Sequence, residues 1–277
     1  MAAPLERLER IMLATDGTRH SRAAEAAAAW LARQSGAGMT ALQAVIGDTG
    51  YPLMVPGDEH AAVKDARDHM AELCRRMAGE GIHCQPMVAP AANPFQVIVE
   101  RAGETGADII IMGRRDRSDL SRLMMGDNTA KVIGHAPCPV MVVPKSASVP
   151  WHGIVVATDG SEFSERAVAT AGWFSRELKI PLRVLAVVTG REGDPDAAGA
   201  RRVADAAKTA LAGLETLTDC AVERGRPDQV IVSYANRNGA DLIVVGSHGR
   251  TGLARLLVGS VSERVVGHFD GAALVVR

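Results

Sequence analysis

Short apolar runs recur along the chain, and between them lie longer stretches in which apolar residues return every three or four positions. The short runs read as strands buried on both faces and the longer stretches as amphipathic helices, so their alternation predicts parallel strands joined by crossover helices. In the first half the strands are expected at Ile11–Thr15, Met39–Val45, Ile82–Val88, Asp108–Met112 and Val140–Val143. The second half repeats them at Ile154–Thr158, Leu182–Val188, Cys220–Glu223, Asp241–Val245 and Ala273–Val276. Among the helical stretches, "AAVKDARDHMAELCRRMAGE" puts Val63, Ala66, Met70, Leu73 and Met77 on one stripe. Pro94 and Pro227 open matching P-x-Q-V-I-V strings, where proline suits the first turn of a helix. The expected fold class is α/β with two repeated domains, each a five-stranded parallel sheet with helices on both faces. Ligands of such sheets bind beyond the carboxyl ends of the strands, where the strand order reverses.

The repetition is visible residue by residue. Ala107–His135 aligned on Ala240–His268 gives 12 identities in 29 positions, Gly113 falling on Gly246 and Gly126 on Gly259. "IMLATDGTRHSRAA" from Ile11 likewise matches "IVVATDGSEFSERA" from Ile154. The first pair is offset by 133 and the second by 143, so the first half carries ten extra residues (143 − 133 = 10), assigned to the loop Ile46–His60. That loop reads as a tolerated surface insertion or, less simply, as a partner site. Pro144–His152, "PKSASVPWH", reads as the linker, and the domains are expected at 5–145 and 153–277.

Composition narrows the class. The 277 residues, 47% apolar and 23% charged, describe a globular chain long enough for two domains, not a disordered or fibrous one. A formal charge of −1 with 3% aromatics provides neither the basic footprint nor the stacking surfaces of a nucleic-acid binder. Glu6 and Glu9 interrupt any apolar signal core, and nowhere do apolar residues run uncharged for a membrane span. A cytoplasmic protein is expected, with no membrane partner. Cys74, Cys84, Cys138 and Cys220 form no C-x-x-C pair, which argues against zinc ribbons and a disulfide framework and for buried, inert thiols. His60, His69 and His83 show no metal-ligand spacing.

The candidate chemistry lies in "VVGSHGRTGLARLLVGSVSERVV", Val244–Val266, which leaves a strand and restarts as a helix. A helix start offers unpaired N–H groups and the positive end of its dipole, and glycine lets a phosphate approach the backbone. His248, Arg250 and Arg255 add polar or positive groups. Glycine for a turn and serine for a helix cap would explain the same residues without a ligand. The spacing matches neither the dinucleotide G-x-G-x-x-G nor the P-loop.

This pattern, with Gly246, Gly249, Gly259 and Ser260, resembles the ATP-binding signature of the universal stress protein family. "ATDGS" at Ala157–Ser161 and "HAPCPVMVV" from His135 resemble that family too, so nearly the whole chain looks like a tandem member. The resemblance implies a Rossmann-like fold of the adenine nucleotide alpha hydrolase type and ATP as ligand, with Mg2+ admitted beside it. It implies phosphate and ribose contacts from Gly246, His248, Gly249, Arg250, Gly259, Ser260 and Val261. It also implies Asp159 against the adenosine, with Ala157, Thr158 and Val187 lining the adenine pocket. Asp159 could instead cap the next helix, and Val187 could be plain core.

In the first half the signature positions read Gly113, Asp116, Gly126 and Asp127. A carboxylate about 4 Å from a phosphate costs on the order of 4 kcal/mol at a protein surface. Asp127 is also expected to act as a helix cap, a built-in substitute anion. Arg114, Arg115 and Arg117 could offset these carboxylates, and a divalent metal could bridge Asp127 to a phosphate. One competent site in the second half and one degenerate site in the first are therefore expected. The tail "HFDGAALVVR" lacks the "APCP" turn of the first half, which bears on the packing of the last strand.

No positioned base, nucleophile or ligand set marks an enzyme. His248, Ser164, Asp194 and Asp196 are read as binding, cap or loop residues. The leading expectation is a nucleotide-dependent binding module in a stress response, meeting an unidentified protein partner. The alternatives are a slow ATPase or nucleotide-transfer enzyme, and a ligand-free dimerising scaffold. The family's habit of dimerising through last strands implies that the two halves pair within the chain as a pseudo-dimer, and that the whole chain forms a homodimer.

Overall fold

A computed structural model describes residues 5, 7–46, 61–114, 125–190, 197–249 and 258–277. The first half runs β1 (Arg10–Ala14), α1 (Arg22–Ser35), β2 (Gly38–Ile46), α2 (Ala61–Gly79), β3 (Cys84–Ala91), α3 (Pro94–Thr105), β4 (Ile109–Arg114), α4 (Asp127–His135) and β5 (Val140–Pro144). The second runs β6 (Ile154–Thr158), α5 (Glu162–Leu178), β7 (Leu182–Val188), α6 (Ala197–Ala210), β8 (Leu217–Arg224), α7 (Pro227–Arg237), β9 (Leu242–Gly246), α8 (Ser260–His268) and β10 (Ala272–Val276).

Each half is the expected five-stranded parallel sheet, and the two join into one ten-stranded sheet ordered β3-β2-β1-β4-β5-β10-β9-β6-β7-β8. β5 and β10 meet antiparallel, Met141 opposite Leu274, which is the pseudo-dimer pairing expected within the chain. Alternation along each strand divides the core. Ile11, Leu13, Ile109 and Ile111 pack under α1 and α2, in a layer continuous with Phe174 and Ala207 of α5 and α6. Met12, Ala14 and Ile110 pack under α3 and α4, continuous with Ile231 and Val265 of α7 and α8. Burying both faces explains why the strands read as unbroken apolar runs.

The last strand is secure without the "APCP" turn. Phe269, buried, ends α8, and a β-carbon on Gly271 would stand 2.5 Å from Asp241 O, so the chain turns tightly into β10. The linker is packed rather than loose. Trp151 is 2% exposed and meets Trp30 edge-on with ring centroids 4.9 Å apart, while Ser146 donates to Asp270 O at 3.0 Å.

Two arginines tie the halves reciprocally. Arg114, ending β4, donates to the carbonyls of Val266 and Phe269 at the end of α8. Arg277 donates at 3.0 Å to Ala136 O, the carbonyl that ends α4. Each half therefore supplies the cation that the other's helix C-terminus attracts. Arg114 thus reaches the other half, while the loop carboxylates it could offset, Asp116 and Asp119, lie outside the described residues.

The cysteines require a correction. Cys74 of α2 and Cys84 of β3 are joined by a disulfide with Cα atoms 5.1 Å apart, within bridging range. No spacing motif announces it, because the return of α2 onto the start of β3 makes the contact. Cys138 and Cys220 are free, Cys138 buried.

Candidate functional site

The strand order reverses between β1 and β4 in the first half and between β6 and β9 in the second, so each half opens a crevice at those carboxyl ends. In the second half β6 ends in Ala157, Thr158 and Asp159. Thr158 is buried with Oγ1 3.1 Å from Ser164 Oγ, and it accepts from Gly160 N at 3.3 Å. Its side chain therefore serves the turn into α5 and leaves only main chain for a pocket. Ala157 and Val187 are half-buried against the core under α7 and α8, on the sheet face opposite Ser164 and α5.

Asp159 supports the start of α5 through the residue that caps it. Oδ1 accepts from Ser161 N at 3.0 Å and Ser161 Oγ at 2.6 Å, and Ser161 in turn caps α5 by accepting from Ser164 N. The other oxygen turns across the crevice, so that a β-carbon on Gly249 would stand 2.6 Å from Oδ2. Glycine at 249 thus lets the loop after β9 approach the carboxylate.

Gly246 has a different reason. A β-carbon there would meet Phe163 C at 2.8 Å and Ser164 N at 2.9 Å, so the residue is needed for β9 to pass the start of α5. Its twin Gly113 is equally tight, 2.7 Å from His20 O, which makes this glycine a packing requirement of both halves.

After β9, Ser247 N donates to Val276 O at 2.7 Å and Ser247 O accepts from Gly259 N at 2.7 Å, closing the base of the loop. A β-carbon on Gly259 would be 3.2 Å from Ser247 O and 3.3 Å from His248 Cα. His248 is half-buried, with Nδ1 3.2 Å from Ser247 Oγ and its ring 5.4 Å from that of Phe163. Gly259 is the N-cap of α8 and offers no side-chain cap, while Ser260, the first helical residue, is exposed. Unlike Ser161 at the start of α5, the N-cap residue of α8 makes no side-chain bond to the first turn. Val261 packs toward the core.

The structure thus brings Asp159, His248, Gly249, Gly259 and Ser260 to one crevice, with Ala157 and Val187 on its sheet side. Arg250, Arg255, Asp194, Asp196 and His60 lie outside the described residues. Sequence reading missed Ser247, Phe163 and Ser262, whose Oγ donates to Gly246 O at 2.6 Å and holds α8 to β9. The hydroxyl residue three places after Gly259 and after Gly126, Ser262 here and Thr129 in the first half, both buried, was the available signal.

In the first half Asp127 does not cap. The N-cap of α4 is Gly126 without a side-chain bond, and Asp127, first in the helix and exposed, pairs with Lys131 at 2.7 Å. A carboxylate with its own Cβ inside the first turn reaches the i+4 ammonium more readily than the N–H groups behind it. Asp127 keeps a carboxylate at the start of α4, but it is not bonded there as a substitute anion. Residues 115–124, with Arg115, Asp116, Arg117 and Asp119, lie outside the described residues.

Fold and site define a tandem, doubly wound α/β protein with a glycine-lined cleft at the carboxyl edge of its second half. The profile of the universal stress protein family matches residues 7–144 and again 150–277, and the chain belongs to that family. A curated universal stress protein of Mycobacterium tuberculosis is 31% identical over 191 residues, 63% of this chain and 63% of that one, so the match falls short of the relative's full length. The crystal structure of a universal stress protein from Archaeoglobus fulgidus shares the fold with a TM-score of 0.74 at 19% identity, covering 98% of this chain and 97% of that one. No described helix is long and apolar enough to cross a membrane.

Proposed function

We propose that the second domain, residues 153–277, holds ATP and that the chain acts as a nucleotide-dependent regulatory module of a stress response. The observation that carries this reading is the uncapped start of α8, which opens beside Gly249 and Asp159 at the strand-order reversal. The first-turn N–H groups and the helix dipole there suit phosphates, and glycine at 249 and 259 admits them closely to the backbone. Asp159, Ala157 and Val187 would take the adenosine, and the main chain of Thr158 would add to the pocket. Mg2+ would arrive with the phosphates, since no three His, Cys, Asp or Glu side chains cluster as ligands among the described residues.

The first domain, residues 5–145, keeps the fold without the site, because Asp127 places negative charge at the matching helix start. His248 is read as a phosphate donor rather than a base. The nucleotide would set the surface offered to a protein partner or a second chain. Denaturing fresh protein and identifying any released nucleotide by mass should recover about one ATP per chain, and Ser260→Asp, which copies the first half, should abolish it. Recovery of none after soaking in ATP and Mg2+ would sink the reading in favour of a scaffold. A turnover assay that His248→Ala silences while ATP stays bound would favour the ATPase.

A further inference from the structure

The two halves serve as controls for each other, and the Cys74–Cys84 bridge belongs to one of them only. His69 of α2 stands over Gly17, where a β-carbon would lie 2.9 Å from its ring, as Val203 of α6 stands over Gly160 at 3.0 Å. With His69 equivalent to Val203, Cys74 five residues on corresponds to Lys208. The β-ladder pairs Met39 with Cys84 and Leu182 with Leu217, and the register shifts by one residue just after, so Cys84 corresponds to Leu217 or Thr218. The second half builds the same helix and strand with no sulfur at either place, so the fold does not require the bridge.

Around the bridge, α2 differs from α6 in a second way. Glu25 of α1 is 7% exposed, and its carboxylate accepts from Thr15 Oγ1 at 2.8 Å. Arg76 Nη2 lies 3.5 Å from its Oε2 and His69 Nε2 3.8 Å from its Oε1, while His69 Nδ1 is 3.0 Å from Gln43 Oε1. The matching residues of the second half, Val168, Val203 and Ala186, are apolar. A buried carboxylate is tolerated only while its partners stay in place, and two of those partners, His69 and Arg76, flank Cys74 on α2. The position of α2 thus decides the packing beneath the β1–α1 turn.

We propose that Cys74 and Cys84 are a reversible modification site, a dithiol oxidised by hydroperoxides, whose disulfide locks α2 onto β3 and holds the Glu25 cluster together. Cys84 is half-buried and Cys74 is 8% exposed, so Cys84 meets the oxidant first. Its thiolate attacks the peroxide, breaking the O–O bond to give a sulfenic acid and, from hydrogen peroxide, hydroxide that takes up the proton as water. The Cys74 thiol then attacks the sulfenic sulfur and a second water leaves. Two thiols and one peroxide become one disulfide and two waters. The other two cysteines are poor competitors, since burial pushes the Cys138 thiol up to about 12 and raises that of Cys220.

The test uses the full chain, reduced with dithiothreitol, freed of it and then treated with equimolar hydrogen peroxide. The expected product is lighter by two hydrogens, yields a linked Cys74–Cys84 peptide and returns to the dithiol with dithiothreitol. Amide exchange in 61–79 and 15–21 should slow on the order of tenfold on oxidation, and Cys84→Ser should lose both effects. Oxygen adducts or an intermolecular disulfide through Cys220 would overturn the proposal. So would a linked peptide that leaves exchange in α2 unchanged. Should Cys84→Ser fail to fold, the oxidised and reduced wild-type chains carry the comparison by themselves. Neither readout involves nucleotide, so the proposal stands apart from the ATP reading.

Discussion

Gly246 and Gly249 look alike in the sequence and serve different ends. A β-carbon at 246 meets the α5 backbone, which has no room to move, whereas one at 249 meets a carboxylate in an open crevice. Gly246→Ala should therefore lower stability by about 1–3 kcal/mol, read from a denaturant midpoint. Gly249→Ala should leave that midpoint nearly unchanged and weaken ATP binding about tenfold in calorimetry. Equal effects of both on stability would remove the distinction. Cys138 is legible only as an apolar position, but its burial has a consequence for pH. In the folded chain its thiol is pushed from 9.0 to about 12, and burial with the hydrogen bond to Asp219 also raises the phenol of Tyr234 above 10.0. Both groups ionise more easily when unfolded, so their contribution is whole below pH 9 and is lost as pH rises toward 12. The midpoint should fall steadily above pH 9, less so in Cys138→Ala, and a flat profile would count against it.

At the scale of elements, α8 is a nine-residue helix fixed at both ends by contacts the sequence does not announce. Ser262 bonds the Gly246 carbonyl near its start and Arg114 arrives from the other half at its end. Ser262→Ala leaves a buried carbonyl short of a partner and should cost about 1–3 kcal/mol, while weakening any phosphate held at the helix start. A midpoint unchanged within error would show that the contact is not needed. Strand limits were read well where both faces are apolar and less well at the sheet edges. β3 extends to Ala91 through Pro86 and Pro90, and β8 begins at Leu217 within a polar run. His83 O accepts from Met39 N toward β2, so the even-numbered residues of β3 face outward and its prolines forfeit no ladder bond.

Across the whole molecule, β5 and β10 lie at the centre of one sheet, with Met141, Val142, Leu274 and Val275 all buried. Either half alone would expose that strand as an unpaired apolar edge. Residues 5–145 and 153–277 expressed separately should therefore associate with themselves or with each other, as sedimentation would report, whereas a stable monomer of either would contradict the shared sheet. The same continuity predicts one cooperative unfolding transition for the intact chain.

The sequence by itself determined the doubled α/β architecture, the place of the strands and the location of the crevice, because these follow from apolar periodicity and from repetition along the chain. Tertiary structure alone decided which glycine faces a backbone and which a carboxylate, that Asp127 pairs with Lys131, that Arg114 crosses to the other half, and that Cys74 meets Cys84. Each of these depends on distances between segments remote in sequence or on which way a side chain leaves its element. Local pattern carries no record of either.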